Sequence, residues 1–288
     1  MTGAERLLRP PLEDALAAYR AQVLANRAYI DALEGERPPG HDYWASRAPS
    51  FRPGRAPLPE LGLLLELAEP GDTWLDIGAG GGRFAVPLAE RVARVVAIEP
   101  SPSMRAQLAE AAREAGRDNI EIVELTWPPA DGAAAPEGDV SLAANVLYAI
   151  DDVGAFIAAM ERQTRRTCAV VAFDRAPNTP LPGLWRELWG SEFRELPALR
   201  EIVAVLLAMG RRVRVEPLPP VPLEPRPAGD IANDYAWMYH VRPGIPGYEA
   251  KLERFRELVA KHCGAGGGLA VPPVVRRYSS VISWPVER

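Results

Sequence analysis

TWLDIGAGGGRFAVPLA, residues 73–89, is the stretch on which the reading of this chain turns. A short apolar run ends at Asp76, glycines follow at Gly78, Gly80, Gly81 and Gly82, and a helical spacing of apolar residues begins at once. Glycines let the backbone turn sharply and approach a ligand with no Cβ in the way. The helix start then offers unpaired N–H groups to a carboxylate or phosphate. The next apolar run, ARVVAIE (93–99), ends at Glu99, 21 residues after Gly78. In a parallel sheet the two strand ends lie side by side, so the Glu99 carboxylate falls beside the glycine turn, placed to accept hydrogen bonds from both hydroxyls of a ribose.

Further along, the same alternation continues. GRFAVPLAERV (82–92) has helical periodicity, and SPSMRAQLAEAAREAG (101–116) reads as a helix with Ser101 as its cap, Pro102 in its first turn and Gly116 as its stop. IEIVEL (120–125), DVSLAANV (139–146) and TCAVVAFD (167–174) read as strands, with a helix over about 151–165. Nearly all-apolar strands alternating with helices require a parallel sheet covered on both faces. Before this core, 1–60 holds a helical pattern from Leu12 to Leu33 (Leu12, Leu16, Tyr19, Val23, Ile30) and a loop rich in proline, arginine and aromatics. After it, 176–275 is expected to carry a helix over 192–210, a strand over 211–218, an aromatic segment DIANDYAWMYHV (230–241), a helix over 247–263 and a Gly-rich break. RRYSSVISW (276–284) reads as a last strand, within 276–288, returning to the core sheet of 61–175.

Composition narrows the function classes. The chain has 288 residues, 48% of them hydrophobic and 25% charged, as in ordinary globular proteins. No apolar run approaches the roughly 20 residues that span a bilayer, so no membrane role is expected, and the first residues show no secretory signal. Two cysteines, Cys168 and Cys263, make neither a disulfide framework nor a four-thiolate metal site, which points to a cytoplasmic setting. A net charge of −5 argues against nucleic acid as partner. Of 33 basic residues 31 are arginine, which fits a coding bias better than a chemical role. A nucleophile elbow, a P-loop and an H-E-x-x-H motif are all missing.

Two cofactor classes use a strand, a glycine turn and a distant acid. The dinucleotide fingerprint G-x-G-x-x-G fails here, because from Gly78 the third glycine would fall at Arg83, from Gly80 at Ala85, and from Gly82 at Pro87. What is present is D-x-G-x-G-x-G, Asp76 to Gly82. With LDIGAGGGRFAVPLAERVARVVAIEPSPSM, this resembles the class I S-adenosylmethionine-dependent methyltransferases over about 61–175 plus the last strand.

The resemblance implies a Rossmann-like doubly wound α/β fold, with a seven-stranded sheet of order 3-2-1-4-5-7-6 and strand 7 antiparallel, an N-terminal helical extension, and a helical insertion before the last strand. It implies S-adenosylmethionine as cofactor, held by Asp76, Gly78, Ala79, Gly80 and Gly82 at its methionine end. Glu99 would take the ribose, with Pro100 and Met104 beside it. Thr126 and Trp127, after the third strand, would cover the adenine in place of the acidic residue often found there, and a carbonyl near Asn145 would meet the cofactor's amino group. Tyr148, Asp174 and His240 are the catalytic candidates. Tyr148 would shape the acceptor site, Asp174 ends a strand where ligand-facing groups gather, and His240 could accept a proton. Each also has a plain structural role open to it: core packing, a cap or ion pair, and a structural histidine. No metal site is expected.

The acceptor is expected to be a small molecule. Five of seven tryptophans lie outside 61–175, which motivates a lid built from Tyr43, Trp44 and Phe51 with Trp185, Trp189, Tyr235, Trp237 and Tyr239. The alternative is that these aromatics pack auxiliary helices. An NAD(P)-dependent oxidoreductase and a non-catalytic binder of S-adenosylmethionine or S-adenosylhomocysteine are the competing functions, and a homodimer stays open.

Overall fold

The computed structural model describes residues 9–35, 42, 44–45, 48–54, 58–130, 134–177, 179–220, 223–275 and 277–287. Its main sheet contains β1 (Thr73–Ile77), β2 (Arg94–Ile98), β3 (Ile120–Val123), β4 (Gly138–Ala144), β5 (Thr164–Phe173), β6 (Arg214–Pro217) and β7 (Ser279–Pro285). The order is β3-β2-β1-β4-β5-β7-β6, and β7 runs antiparallel to both β5 and β6. This is the expected topology. The order reverses between β1 and β4, where ligands of open parallel sheets bind. In that region Asp76 sits level with Ala97 of β2 and Leu142 of β4.

Each face of the sheet is sealed by helices. On one face lie α1 (Leu12–Glu34), α5 (Val153–Arg162) and α7 (Leu199–Ala208), burying Tyr19, Val23, Phe156, Ile202 and Trp284. On the other lie α2 (Glu60–Leu65), α3 (Ala85–Leu88) and α4 (Pro102–Glu114), burying Leu64, Trp74, Leu88 and Leu108. Alternation along β7 puts Ile282 and Trp284 in the first core and Val281 in the second, as a pleated strand must.

A third core stands apart from the sheet. It is formed by α6 (Pro182–Trp189), α8 (Ala228–Ala236), α9 (Tyr248–Cys263) and a three-stranded sheet of Arg226–Pro227, Leu269–Ala270 and Gly264–Gly266. Trp185 and Tyr239 are its fully buried centre, with Phe193 4.7 Å from Trp185 and Phe255 4.8 Å from Tyr239, ring centre to ring centre. Helix α1 ties this core to the sheet, giving Tyr19 and Val23 to one and Ile30 to the other. Leu12, read as apolar contact, is 41% exposed.

Several boundaries differ from the sequence reading. The helix expected over 82–92 is α-helical only at Ala85–Leu88. Gly82 at φ 88° forbids an earlier start, and Pro87 brings no N–H. The helix expected over 192–210 begins at Leu199, because Pro197 disfavours helical backbone at the residue before it. There Glu201 accepts the Ala198 N–H at 3.0 Å and closes the first turn. The Gly-rich break is a hairpin, its turn made by Gly266, Gly267 and Gly268 at positive φ. Among the described residues no helix is long and apolar enough to cross a membrane.

Candidate active-site cleft

The cleft opens at the C-terminal ends of β1, β2 and β4 and encloses about 380 Å³. Its floor is the glycine turn. Gly78, Gly80 and Gly82 hold φ of 74°, 55° and 88°, a region that costs any residue with a Cβ. At Gly78 the need is doubled, since a Cβ would lie 2.6 Å from Val146 Cγ2.

Two carboxylates face this turn. Glu99 Oε2 accepts the Gly80 N–H at 2.8 Å and Oε1 accepts the Ser101 N–H at 2.9 Å. Burial pushes its pKa above the ordinary carboxylate value, opposed by those two donors and by Arg105. Each carboxylate oxygen keeps a further lone pair for a hydroxyl donor. Asp76 is 2% exposed and its Oδ2 has no hydrogen-bond partner. Burial, with the Glu99 charge adding to it, pushes the Asp76 pKa up to about 7, although the Ala85 N–H bonds to it. A buried acceptor without a donor is costly and uncommon. The orphaned oxygen belongs to a residue that lines the cleft, so a cationic or N–H-bearing ligand would satisfy it.

The other walls are largely apolar. Leu125, Thr126 and Trp127 follow β3, and Ile150 and Phe156 lie opposite. Trp127 is anchored, its Nε1 donating to the Phe156 carbonyl at 3.3 Å and its ring edge-on to Phe156. Trp44 and Phe51 supply a wall from the N-terminal segment, edge to face at 5.4 Å. That segment is pinned by Asp42, which accepts the Ser101 hydroxyl at 2.9 Å and the Ser103 N–H at 3.1 Å. Those donors hold the Asp42 carboxyl below its usual range, against a desolvation that works the other way. The Phe51 carbonyl covers Gly81, where a Cβ would come within 2.9 Å of it.

Residues 75–168 match the family model described as a methyltransferase domain. Over these residues the chain is similar to that family. Similar solved structures include YcgJ of Bacillus subtilis (17% identity, covering 80% of this chain and 98% of that one, TM-score 0.51). A protein of Bacillus halodurans C-125 is alike to the same degree (14%, 80% and 99%, TM-score 0.53), as is YjhP of E. coli (11%, 85% and 98%, TM-score 0.51). At these identities the likeness shows the fold. Among curated proteins nothing matches.

Within this core, Asp76, Gly78, Ala79, Gly80, Glu99, Pro100, Met104, Thr126, Trp127 and Asn145 all line the cleft. Gly82 lies beneath it, packed on Leu108 and Val86. The three catalytic candidates lie outside the lining of this cleft. Tyr148 is 5% exposed and outside the lining, its hydroxyl committed to the Phe173 N–H at 2.7 Å and to Asn145 Oδ1 at 3.0 Å. Burial raises its pKa. Asp174 is exposed and accepts the Tyr278 N–H at 2.7 Å, a cap joining β5 to the approach to β7. His240 bonds through Nδ1 to the buried Glu34 and stacks edge-on against Trp185 in the auxiliary core.

The lid expectation divides in two. Trp44 and Phe51 line the cleft, whereas Trp185 and Tyr239 are the auxiliary core and Trp189, Tyr235 and Trp237 pack against it. Tyr43 lies outside the described residues. Sequence reasoning missed Phe84, Ile150, Phe156 and the pin at Asp42. The first three carry no signal beyond being apolar. Asp42 could not be found without knowing that its loop folds over Ser101. Among the described residues no cluster of His, Cys, Asp and Glu could hold a metal ion.

Proposed function

We propose that this chain is an S-adenosylmethionine-dependent methyltransferase acting on a small-molecule acceptor. The observation that carries this reading is the pairing, across one glycine turn, of the orphaned Asp76 oxygen with the Glu99 carboxylate. The cofactor fits this donor set. Its ammonium would complement Asp76, its ribose hydroxyls the free lone pairs of Glu99, and its adenine the apolar slot of Leu125, Trp127, Ile150 and Phe156. When bound, S-adenosylmethionine supplies a methyl group on a sulfonium, open to in-line displacement.

The protein's own part is then positional. The rigid turn and the anchored Trp127 fix one partner, and Trp44 and Phe51 exclude water from the other. Holding two reactants in line is worth about 7 kcal/mol or more of a barrier. No lining histidine or thiol is needed for that. A small acceptor is supported by the net charge of −5.

The test is a crystal structure with S-adenosylhomocysteine, joined to the Glu99→Ala variant. Adenosine is expected with its ribose on Glu99, and the variant should bind more weakly by about 1–3 kcal/mol. Adenosine elsewhere, or unchanged affinity, would refute the reading.

A further inference from the structure

A second cleft, of about 410 Å³, lies at the other end of the sheet. It forms where α5 ends at Arg162, where the chain leaves α7 at Gly210, and where β7 ends at Pro285. Pro285 is level with Thr167, near the start of β5, because β7 runs antiparallel to that strand. The first cleft opens instead at the C-terminal ends of the parallel strands, and no described residue lines both.

Among the described residues three arginines line this second cleft, Arg162, Arg211 and Arg212, in a chain whose net charge is −5. Arg211 serves the fold. Its Nε and Nη2 donate to the two Glu161 oxygens at 2.6 and 2.7 Å, and its Nη1 donates to the Met209 carbonyl at 3.1 Å. Trp284 Nε1 donates to the same Glu161 at 2.8 Å, so this lining acid is fixed and neutralised. Arg9 reaches the rim and donates to the Gly210 carbonyl at 3.5 Å. Arginines that cap the carbonyls of a helix end account for Arg9 and Arg211. They do not account for Arg162 and Arg212, which are exposed and make no hydrogen bond or ion pair among the described residues. Glu287, the other lining acid, pairs with neither.

Like charges gathered around one concavity repel each other and focus a field that draws an anion. The planar fork of a guanidinium matches the paired oxygens of a phosphate. We propose that this cleft is a binding site for the phosphate group of a soluble small molecule, with Arg162 and Arg212 donating to its oxygens. A lipid surface would also offer phosphate, but binding to it needs apolar side chains that enter the bilayer. None of the large exposed apolar side chains, such as Leu12, Val215 or Leu269, lines this cleft. The proposal is independent of the methyltransferase reading.

Inorganic pyrophosphate is the probe, titrated by calorimetry into the full chain at low salt. Saturable one-to-one binding is expected. The double variant Arg162→Gln, Arg212→Gln should weaken it by about tenfold or more, since two charged donors are lost. Both side chains are exposed and unbonded, so the variant should melt like wild type. Arg113→Gln removes an equally exposed and unpaired arginine from α4 and should leave the affinity unchanged. No binding, or heat that does not saturate, would overturn the proposal. So would unchanged affinity in the double variant, which would put the phosphate elsewhere, or an equal loss in Arg113→Gln, which would reduce the effect to bulk charge. Vesicles of phosphatidylglycerol should not sediment the protein. Sedimentation that the double variant abolishes would overturn the proposal by giving the two arginines to a membrane surface.

Discussion

Asp76 makes the stability of the unliganded protein depend on pH in a direction opposite to that of most carboxylates. Its folded pKa is about 7 against an ordinary 3.8, so between those values the folded state holds a proton that the unfolded state has released. Stability therefore falls as pH rises. The contribution is fully present below pH 4 and is lost as pH climbs through about 7. At about 1.4 kcal/mol for each pH unit, the span from 3.8 to about 7 is worth at most about 4 kcal/mol. Glu99, also raised by burial, acts in the same direction. The Asp76→Asn variant keeps the shape and the bond from the Ala85 N–H but cannot titrate. Urea unfolding of both proteins from pH 4 to pH 8 gives the assay. The variant should gain on wild type by about 2–4 kcal/mol across that range. A difference that stays constant with pH would refute the burial argument. A cationic ligand beside Asp76 should also favour the ionised form. Wild type should then release a proton on binding S-adenosylmethionine near pH 6, seen as a buffer-dependent heat absent from Asp76→Asn.

Other perturbations test the remaining parts of the account. Gly78→Ala places a Cβ at 2.6 Å from Val146 at a φ of 74°, and should cost about 2 kcal/mol or more in denaturant unfolding, with a loss of S-adenosylhomocysteine affinity. Trp185→Ala, which empties the centre of the auxiliary core, should cost about 3–5 kcal/mol, with melting as the readout, while leaving S-adenosylhomocysteine affinity in the folded protein near wild type. Ser101→Ala removes the cap on the Met104 N–H at 3.2 Å and the anchor for Asp42. It should lower stability by about 1 kcal/mol and make the N-terminal segment more sensitive to protease than the sheet.

The middle of the sheet was legible because β1, β2, β4 and β5 are largely buried and so read as apolar runs, while the ligand end was marked by glycines at positive φ. Asp76 and Glu99 were legible for the same reason, since strand ends beside a glycine turn can only meet in one place. Tyr148, Asp174 and His240 were not. Each has its surroundings set by a partner distant in sequence. For Tyr148 that is Phe173, for Asp174 it is Tyr278, and for His240 it is Glu34. The aromatic excess outside the core divides between the two readings, since Trp44 and Phe51 line the cleft while Trp185 and Tyr239 pack auxiliary helices. Trp185 and Tyr239 need burial as much as any ligand does, and α6, α8 and α9 give it to them. Pattern alone does not separate an aromatic wall from an aromatic core.

The most direct test of the central claim is one calorimetric titration of the wild-type protein with S-adenosylhomocysteine and, separately, with NAD. Saturable one-to-one binding of the first and none of the second is expected. Binding of NAD, or no binding of S-adenosylhomocysteine, would contradict the account.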